Sequence, residues 1–330
     1  MNSQSEFQSK PIGFKESIIS INKSRINEMI DNTFCVFTSV NNVLYIVYAH
    51  EKSILFHNLL DNKAILEIKE AHKKDIINFR YFFDEYKNRD LISSLCIKDL
   101  KIWDVTNFEC LFTFKNNDER GLLFSSCFLN SDNQIYVISS NCYAVRKSIK
   151  IFDLNGNKIK EMENINADIF FIDSYYDKKK HKNYILTANQ YISKSFDFEK
   201  NELYHEYNDN TYDYHYSLVM NDLINIDEPQ LIESSTSGEI KIWNFHSAEL
   251  IKIIKATKNW LVGTCLWNKR YLLVGSFDYS ILTIDLENEE ITKTYCDDII
   301  LTIKKIFHPI YGESILFQGN LKETLKLLIK

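Results

Sequence analysis

The chain is poor in the two residues that most often interrupt regular backbone, with eight glycines and three prolines in 330 residues. None of the glycines falls in G-x-G-x-x-G or G-x-x-x-x-G-K-S/T, so no bare-backbone loop is available to cradle a phosphate. G-x-S-x-G and H-E-x-x-H are absent as well, which removes the strings that mark the commonest serine-hydrolase and zinc-peptidase sites. The cysteines (Cys35, Cys96, Cys110, Cys127, Cys142, Cys265, Cys296) are odd in number and never spaced as C-x-x-C. Most lie in apolar, strand-like text and read as buried, reduced thiols of a cytoplasmic or nuclear protein. No apolar run reaches the 18 or so residues that a membrane-crossing helix needs, and Met1–Lys10 lacks the apolar stretch of a signal peptide. Positive charge is also in short supply: 39 basic against 45 acidic side chains give a net charge of −6. Nucleic-acid binding rests on a basic face that neutralises phosphates, so nucleic acid is not an expected partner.

What the chain has in quantity is aromatic residues, at 14%, and they recur with a period. Six segments share one grammar, an apolar alternation ending in a bulky residue and then a polar one. They end at Phe56-His57, Trp103-Asp104, Phe152-Asp153, Phe196-Asp197, Trp243-Asn244 and Ile284-Asp285, and a degenerate seventh falls at Leu327-Leu328. Successive anchors stand 41 to 49 residues apart. An apolar run precedes most anchors (Leu91–Leu95, Ile135–Ile138, Tyr184–Thr187, Tyr271–Val274), and short strand-like text follows (Cys110–Phe114, Leu250–Ile254). Evenly spaced short strands at this period predict an all-β chain, a seven-bladed β-propeller of four-stranded blades. Alternation along a strand aims every second side chain at a neighbouring blade, so the anchors are expected to fill interblade space. The polar residue after each anchor is placed to hydrogen-bond the turn.

The last repeat stops after its third strand, at residues 323–330. The run 15–21, Lys-Glu-Ser-Ile-Ile-Ser-Ile, is expected to supply the missing fourth and so remove an open edge. Residues 1–330 are thus read as a single domain, with 1–11 as a disordered tail and about 12–22 as the closing strand.

At Leu100-Lys-Ile-Trp103-Asp104 and Ile240-Lys-Ile-Trp243-Asn244 the text resembles the WD-repeat family, and from Ile240 onward it is similar to divergent protist members. That resemblance implies a buried network in each blade, made by a His before the first strand, a Ser or Thr, an Asp in the turn before the anchor strand, and the Trp. Only fragments are present. Ala71-His72 stands in the blade of Trp103. Gly275-Ser-Phe-Asp278 precedes an anchor that is not Trp, and Ser237-Gly238 replaces the turn Asp before Trp243. The network is therefore expected in the second blade at most, with aromatic packing holding the others.

The resemblance implies a non-catalytic scaffold or adaptor without a cofactor, binding peptides or proteins, within a larger multiprotein complex. Such platforms bind chiefly through the loops just before each first strand. By alignment on the strand starts these are Asn32, Lys74, Arg120, Asp168, His215 and Trp260, with Trp260 the leading candidate. Two further clusters suggest other chemistry. Lys178-Lys-Lys-His-Lys182 is the one basic cluster and offers an alternative, a lipid or nucleic-acid adaptor, although none of the six arginines forms the adjacent pair of phosphoinositide-binding propellers. His205, Glu206, Asp209, Asp213 and His215 are the densest run of potential metal ligands, read as a solvated loop between blades four and five.

Overall fold

The structure, a computed structural model, describes residues 10–11, 14–16, 21–22, 33–116, 122–142, 147–162, 165, 168–189, 191–211, 213–222, 227–319 and 324–329. Among these residues there is no helix. Strands build seven antiparallel sheets, the blades of a seven-bladed β-propeller: blade 1 (34–68), blade 2 (76–115), blade 3 (122–162), blade 4 (171–207), blade 5 (215–255), blade 6 (261–295) and blade 7 (300–329). The first six are four-strand meanders. Two compact units are described in turn, Ile30–Tyr216, which holds blades 1–4, and Met1–Met29 with Ser217–Lys330.

Within each unit the third strands set the packing. In blade 2 the strand Asp99–Asp104 sends Trp103 into a cluster with Phe37, Val47, Ile54 and Phe56 of blade 1. Its neighbours Leu100 and Ile102 point the other way, to Leu123, Phe128 and Val137 of blade 3. In the second unit, Ile240 and Ile242 of blade 5 meet Leu282 and Ile284 of blade 6 in the same fashion. The anchor therefore packs on the preceding blade and the residue before it on the following one. Each such buried side chain contributes about 1.5–3 kcal/mol.

This parity corrects two anchors. The third strand of blade 1 is Ser53–Asn58, so the residue in the anchor place is His57, and Phe56 faces blade 2. His57 is buried, with its Nε2 3.0 Å from Asn62 Oδ1. The seventh anchor is likewise Leu328, packed with Trp267 and Ile281 of blade 6, and not Leu327. The apparent Phe56-His57 match arose because both residues of the pair are bulky and only strand parity separates them. Trp103, Phe152, Phe196, Trp243 and Ile284 stand where the spacing put them.

The polar residue after the anchor caps the turn, as its position implied. Asp104 accepts from Thr106 N at 2.9 Å, Asp197 from Lys200 N at 2.9 Å, Asn244 from His246 N at 3.0 Å, and Asp285 from Glu287 N at 3.1 Å. Asp153 Oδ1 accepts from Asn157 N at 2.8 Å, and in blade 1 Asn58 does the same for Leu60 N at 2.9 Å. In blades 2, 4 and 6 the second carboxylate oxygen also holds a cation from the start of the second strand: Arg89 at 3.0 Å, Lys182 at 3.0 Å and Arg270 at 2.7 Å. In each case hydrogen bonds and the nearby cation outweigh burial and keep the carboxyl below the usual range.

The scarcity of glycine is met in part by asparagine. Among the described residues Asn42, Asn62, Asn88, Asn133, Asn201 and Asn210 hold positive φ, the left-handed conformation that tight turns require and that Asn tolerates. Glycine is kept where space is shortest. At Gly263 (φ +61) an added Cβ would lie 2.3 Å from Leu301 O, where the first strand of blade 6 bulges against blade 7.

The outer edges share a feature that no sequence pattern announced. In blades 1 to 5 the fourth strand carries a one-residue β-bulge opposite the anchor, at Ile65, Leu111, Ile159, Tyr204 and Ile251. A bulge twists an exposed edge away from further pairing. The blade 6 ladder, whose anchor is aliphatic Ile284, runs from Ile284↔Ile291 to Ser280↔Tyr295 without a break. Its edge carries the exposed Lys293, another device against edge pairing.

The N-terminal segment closes blade 7. Lys15 and Glu16 pair with Ile329 and Leu328, and Ile21 and Asn22 pair with Leu325 and Thr324. The sums of paired numbers differ by two between the stretches, so the two pair with the last strand in different registers. Of the expected tail, residues 1–9 lie outside the described residues. Lys10 and Pro11 belong to the fold: Lys10 Nζ meets Glu290 at 3.0 Å, and buried Pro11 accepts Thr283 Oγ1 at 3.0 Å. Phe14 packs edge-on to Trp267 at 5.7 Å. Deleting residues 1–22 uncovers the Thr324–Ile329 strand and is expected to lower the melting temperature by roughly 5–10 °C. Differential scanning fluorimetry of the truncated chain checks this, and an unchanged melting curve refutes the closure.

Candidate interaction surface

The network implied for the second blade is complete. Trp103 Nε1–H donates to Ser94 Oγ at 2.8 Å, Ser94 Oγ lies 2.6 Å from His72 Nε2, and His72 Nδ1 is bonded to Asp99. Burial lowers the His72 pKa, and the opposing hydrogen bond and charge of Asp99 do not reverse it. The imidazole is thus neutral, with its proton on Nδ1 toward the carboxylate and Nε2 accepting from the Ser94 hydroxyl. Burial pushes the Asp99 carboxyl up, but the bond and charge of His72 outweigh it and leave the pKa lowered. Asp99 was missed in the sequence because it is the first residue of the anchor strand and not part of the preceding turn.

The Ser94–His72–Asp99 order is that of a hydrolytic triad, but Ser94 is wholly buried and its oxygen already accepts the Trp103 indole N–H. Cys96 Sγ lies beside His72 and Asp99, in the one cluster of three potential metal ligands among the described residues. The His and Asp atoms that a metal would need are bonded to one another, and Cys96 Sγ accepts from Asp99 N at 3.4 Å. This arrangement is a structural relay. In blade 5 the relay is replaced: Trp243 Nε1–H donates at 2.9 Å to Glu233, which is buried and is the cross-strand partner of buried Lys241.

The sequence candidates for partner binding fall in different surroundings. Asn32 and Arg120 lie outside the described residues. Lys74 is exposed in the loop before blade 2, and Asp168, before blade 4, is half-buried and held by Lys147 at 3.3 Å. His215 begins the first strand of blade 5 and is only 2% exposed, and its backbone N–H donates to Asn189 O at 3.3 Å. The potential metal run does not converge. His205 and Glu206 belong to the strand Glu202–Tyr207 and not to a loop, Glu206 pairs with Lys194, and Asp209 caps its own turn by accepting from Thr211. In the basic cluster Lys182 is engaged by Asp197, and Lys180 Nζ reaches Tyr204 OH at 3.4 Å.

Trp260 stands where expected, directly before the strand Leu261–Leu266, and it is 44% exposed. It is not alone. Its carbonyl accepts Phe277 N at 3.0 Å, and the two rings lie 5.2 Å apart. Phe277 belongs to the turn between the second and third strands of blade 6, which also carries Tyr279, 43% exposed. The ladder places Tyr295, 74% exposed, opposite Ser280 at the same end of the blade, on the face that Leu282 and Ile284 turn to blade 5.

Blade 5 shows how unusual this end is. Its equivalent turn is Thr236-Ser237-Gly238, and the equivalent last residue of its fourth strand is Lys255, opposite Glu239. Blade 6 thus carries Phe, Tyr and Tyr where blade 5 carries Thr, Gly and Lys. Both turn residues have positive φ, +83° at Gly238 and +63° at Tyr279. For a bulky side chain that conformation costs about 1–2 kcal/mol. Sequence reading found Trp260 alone because the other three rings lie in separate segments that only the hairpin register brings to the same end of the blade.

No family model matches the sequence, and no curated protein matches it. Among solved structures the chain is similar to Raptor of Chaetomium thermophilum, with a TM-score of 0.70 at 12% sequence identity. The match covers 94% of this chain and 28% of that one, so this chain spans little more than a quarter of the other's length. At that identity the likeness establishes the fold.

The relay makes stability depend on pH. Because the folded state holds His72 neutral, the unfolded chain binds the proton more readily below about pH 6.5, and stability falls as pH drops from there. Asp99, with its lowered pKa, adds a loss only below about pH 4. Urea titrations at pH 7.5 and 5.5 are expected to show lower stability at pH 5.5, with a smaller difference in His72→Gln; equal differences in the two proteins refute the assignment. Trp103→Phe is expected to cost about 1–3 kcal/mol at pH 7.5, since it leaves Ser94 and His72 without the donor that fixes them.

Proposed function

We propose that this chain is a non-catalytic interaction platform of the WD-repeat kind, a scaffold that presents propeller loops to protein partners. The observation that carries the reading is the aromatic end of blade 6. Trp260, 44% exposed, packs on Phe277, and the turn that carries Phe277 also exposes Tyr279, at a left-handed position where the sister blade has glycine. Trp and Tyr bury large area with a polar tip and are enriched at binding hot spots. The likeness to Raptor in fold agrees with a platform role, and the relay explains the most enzyme-like constellation as structure. The alternative lipid or nucleic-acid role is weakened by the engagement of Lys180 and Lys182 inside blade 4.

Affinity capture from cell extract with the full chain, compared with Trp260→Ala, tests the platform. The variant is expected to lose partners retained by the parent, a truncated hot spot costing about 2 kcal/mol or more. An identical partner list defeats the hot spot. Binding of the parent to anionic vesicles or RNA that is lost on neutralising Lys178 and Lys179 favours the adaptor reading instead.

A further inference from the structure

We infer that the groove between the outer strands of blades 2 and 3 is a docking site for an acidic peptide segment that carries a bulky apolar side chain. The inference rests on the platform reading and names the chemistry of one partner. Both blades belong to the unit Ile30–Tyr216. The groove is open, with a volume of about 590 Å³, and is lined by Phe112 and Phe114 of blade 2 and Phe152 of blade 3. Strand register makes these rings one surface. Phe112 and Phe114 lie opposite Ile102 and Leu100, on the face of blade 2 that packs on blade 3. Phe152 is the anchor that faces back, its ring centre 6.1 Å from that of Phe112 and 4.5 Å from that of Phe114. Phe112 also rests on the bare backbone of Gly156, where an added Cβ would run into the ring.

The charge on this surface is unmatched. Lys150 stands two residues before the anchor Phe152 and so shares its face. Its Nζ lies 5.7 Å from the centre of the Phe114 ring. Two sister blades answer a lysine in that place with a carboxylate: Lys194 of blade 4 is bonded to Glu206 across the strand, and Lys326 of blade 7 to Asp297. In blade 3 the cross-strand residue is again an acid, Glu161, but Lys158 holds it at 2.6 Å. Lys150 has no ion-pair partner among the described residues, and Lys158 and exposed Lys115 line the same groove.

A ligand for this surface must bring an apolar group to cover half-buried rings and a carboxylate to meet Lys150. A charge-assisted bond beside an aromatic wall is stronger than the same bond in open water. A linear segment with an apolar residue flanked by acids meets both needs, and an open trough lets its chain run on at either end. Nucleic acid draws its affinity from many phosphate contacts, and three lysines among three phenylalanines supply few.

The full chain is titrated into a fluorescein-labelled peptide, Glu-Glu-Phe-Glu-Glu, with anisotropy as the readout. Glu-Glu-Gly-Glu-Glu and Lys-Lys-Phe-Lys-Lys serve as controls. Saturable binding is expected with the first peptide alone. Lys150→Gln removes the unmatched charge without breaking an ion pair. It is expected to melt with the parent and to bind roughly fivefold or more weakly. Lys150→Arg keeps the charge and is expected to bind like the parent. Lys178→Gln/Lys179→Gln, in the basic cluster of blade 4, is expected to leave binding unchanged.

Absence of saturable binding overturns the inference. Equal binding of a control peptide does so too, as does unchanged affinity in Lys150→Gln or a loss confined to Lys178→Gln/Lys179→Gln. Capture from extract by the parent chain and by Trp260→Ala separates the two readings. Partners that depend on Trp260, without peptide binding, leave the platform standing and remove the acidic ligand. Peptide binding with identical partner lists keeps the groove and removes the hot spot at Trp260. Identical lists without peptide binding remove both.

Discussion

Everything in these blades depends on the two-sided packing of the third strand. One residue, the anchor, is buried against the preceding blade, and its predecessor is buried against the following one. A strand can do this only because its side chains alternate with a period of two. Each third strand therefore joins two interblade layers, and each blade is stable only between neighbours, as expected of repeat architectures. In blade 2 this role falls to Trp103 and Ile102, in blade 5 Ile242 packs on blade 6, and in blade 6 Ile284 packs on blade 5.

Polar chemistry is fitted around that packing. Where the anchor is Trp its indole N–H is buried and must be satisfied, because a buried unpaired donor is expensive. Blade 2 answers with Ser94, His72 and Asp99, and blade 5 with a single carboxylate, Glu233. Phe and Ile anchors bring no such requirement, and Phe152, Phe196 and Ile284 do without the relay. A buried polar partner is thus tied to an anchor that brings a donor. The bulges follow the same division among blades 1 to 6: they lie opposite the bulky ring-bearing anchors, His57 among them, and are missing opposite Ile284.

Blade 6 is exceptional in both respects. It has an aliphatic anchor and a regular edge, and it concentrates the exposed rings Trp260, Tyr279 and Tyr295 with half-buried Phe277 at one end. Its interior, with Leu282, Ile284 and Leu286 packed against blade 5, is ordinary. The departures from the repeat lie at its surface, where packing against neighbouring blades sets no requirement. Residues that differ between sister blades without serving the core are the natural places to look for function.

The sequence by itself determined the class, the blade count, the turn-capping residues and the need for an N-terminal strand. Each of these follows from local periodicity or from an unmatched edge, and both can be read along the chain. Strand parity decided the rest. It moved the first anchor from Phe56 to His57 and the seventh from Leu327 to Leu328. It placed Asp99 in the relay although no turn signal marked it. The bulges and the aromatic end of blade 6 also belong to the tertiary structure alone. A bulge is a property of two strands paired together, and Trp260 meets Phe277 only because two separate chain segments reach the same end of one sheet.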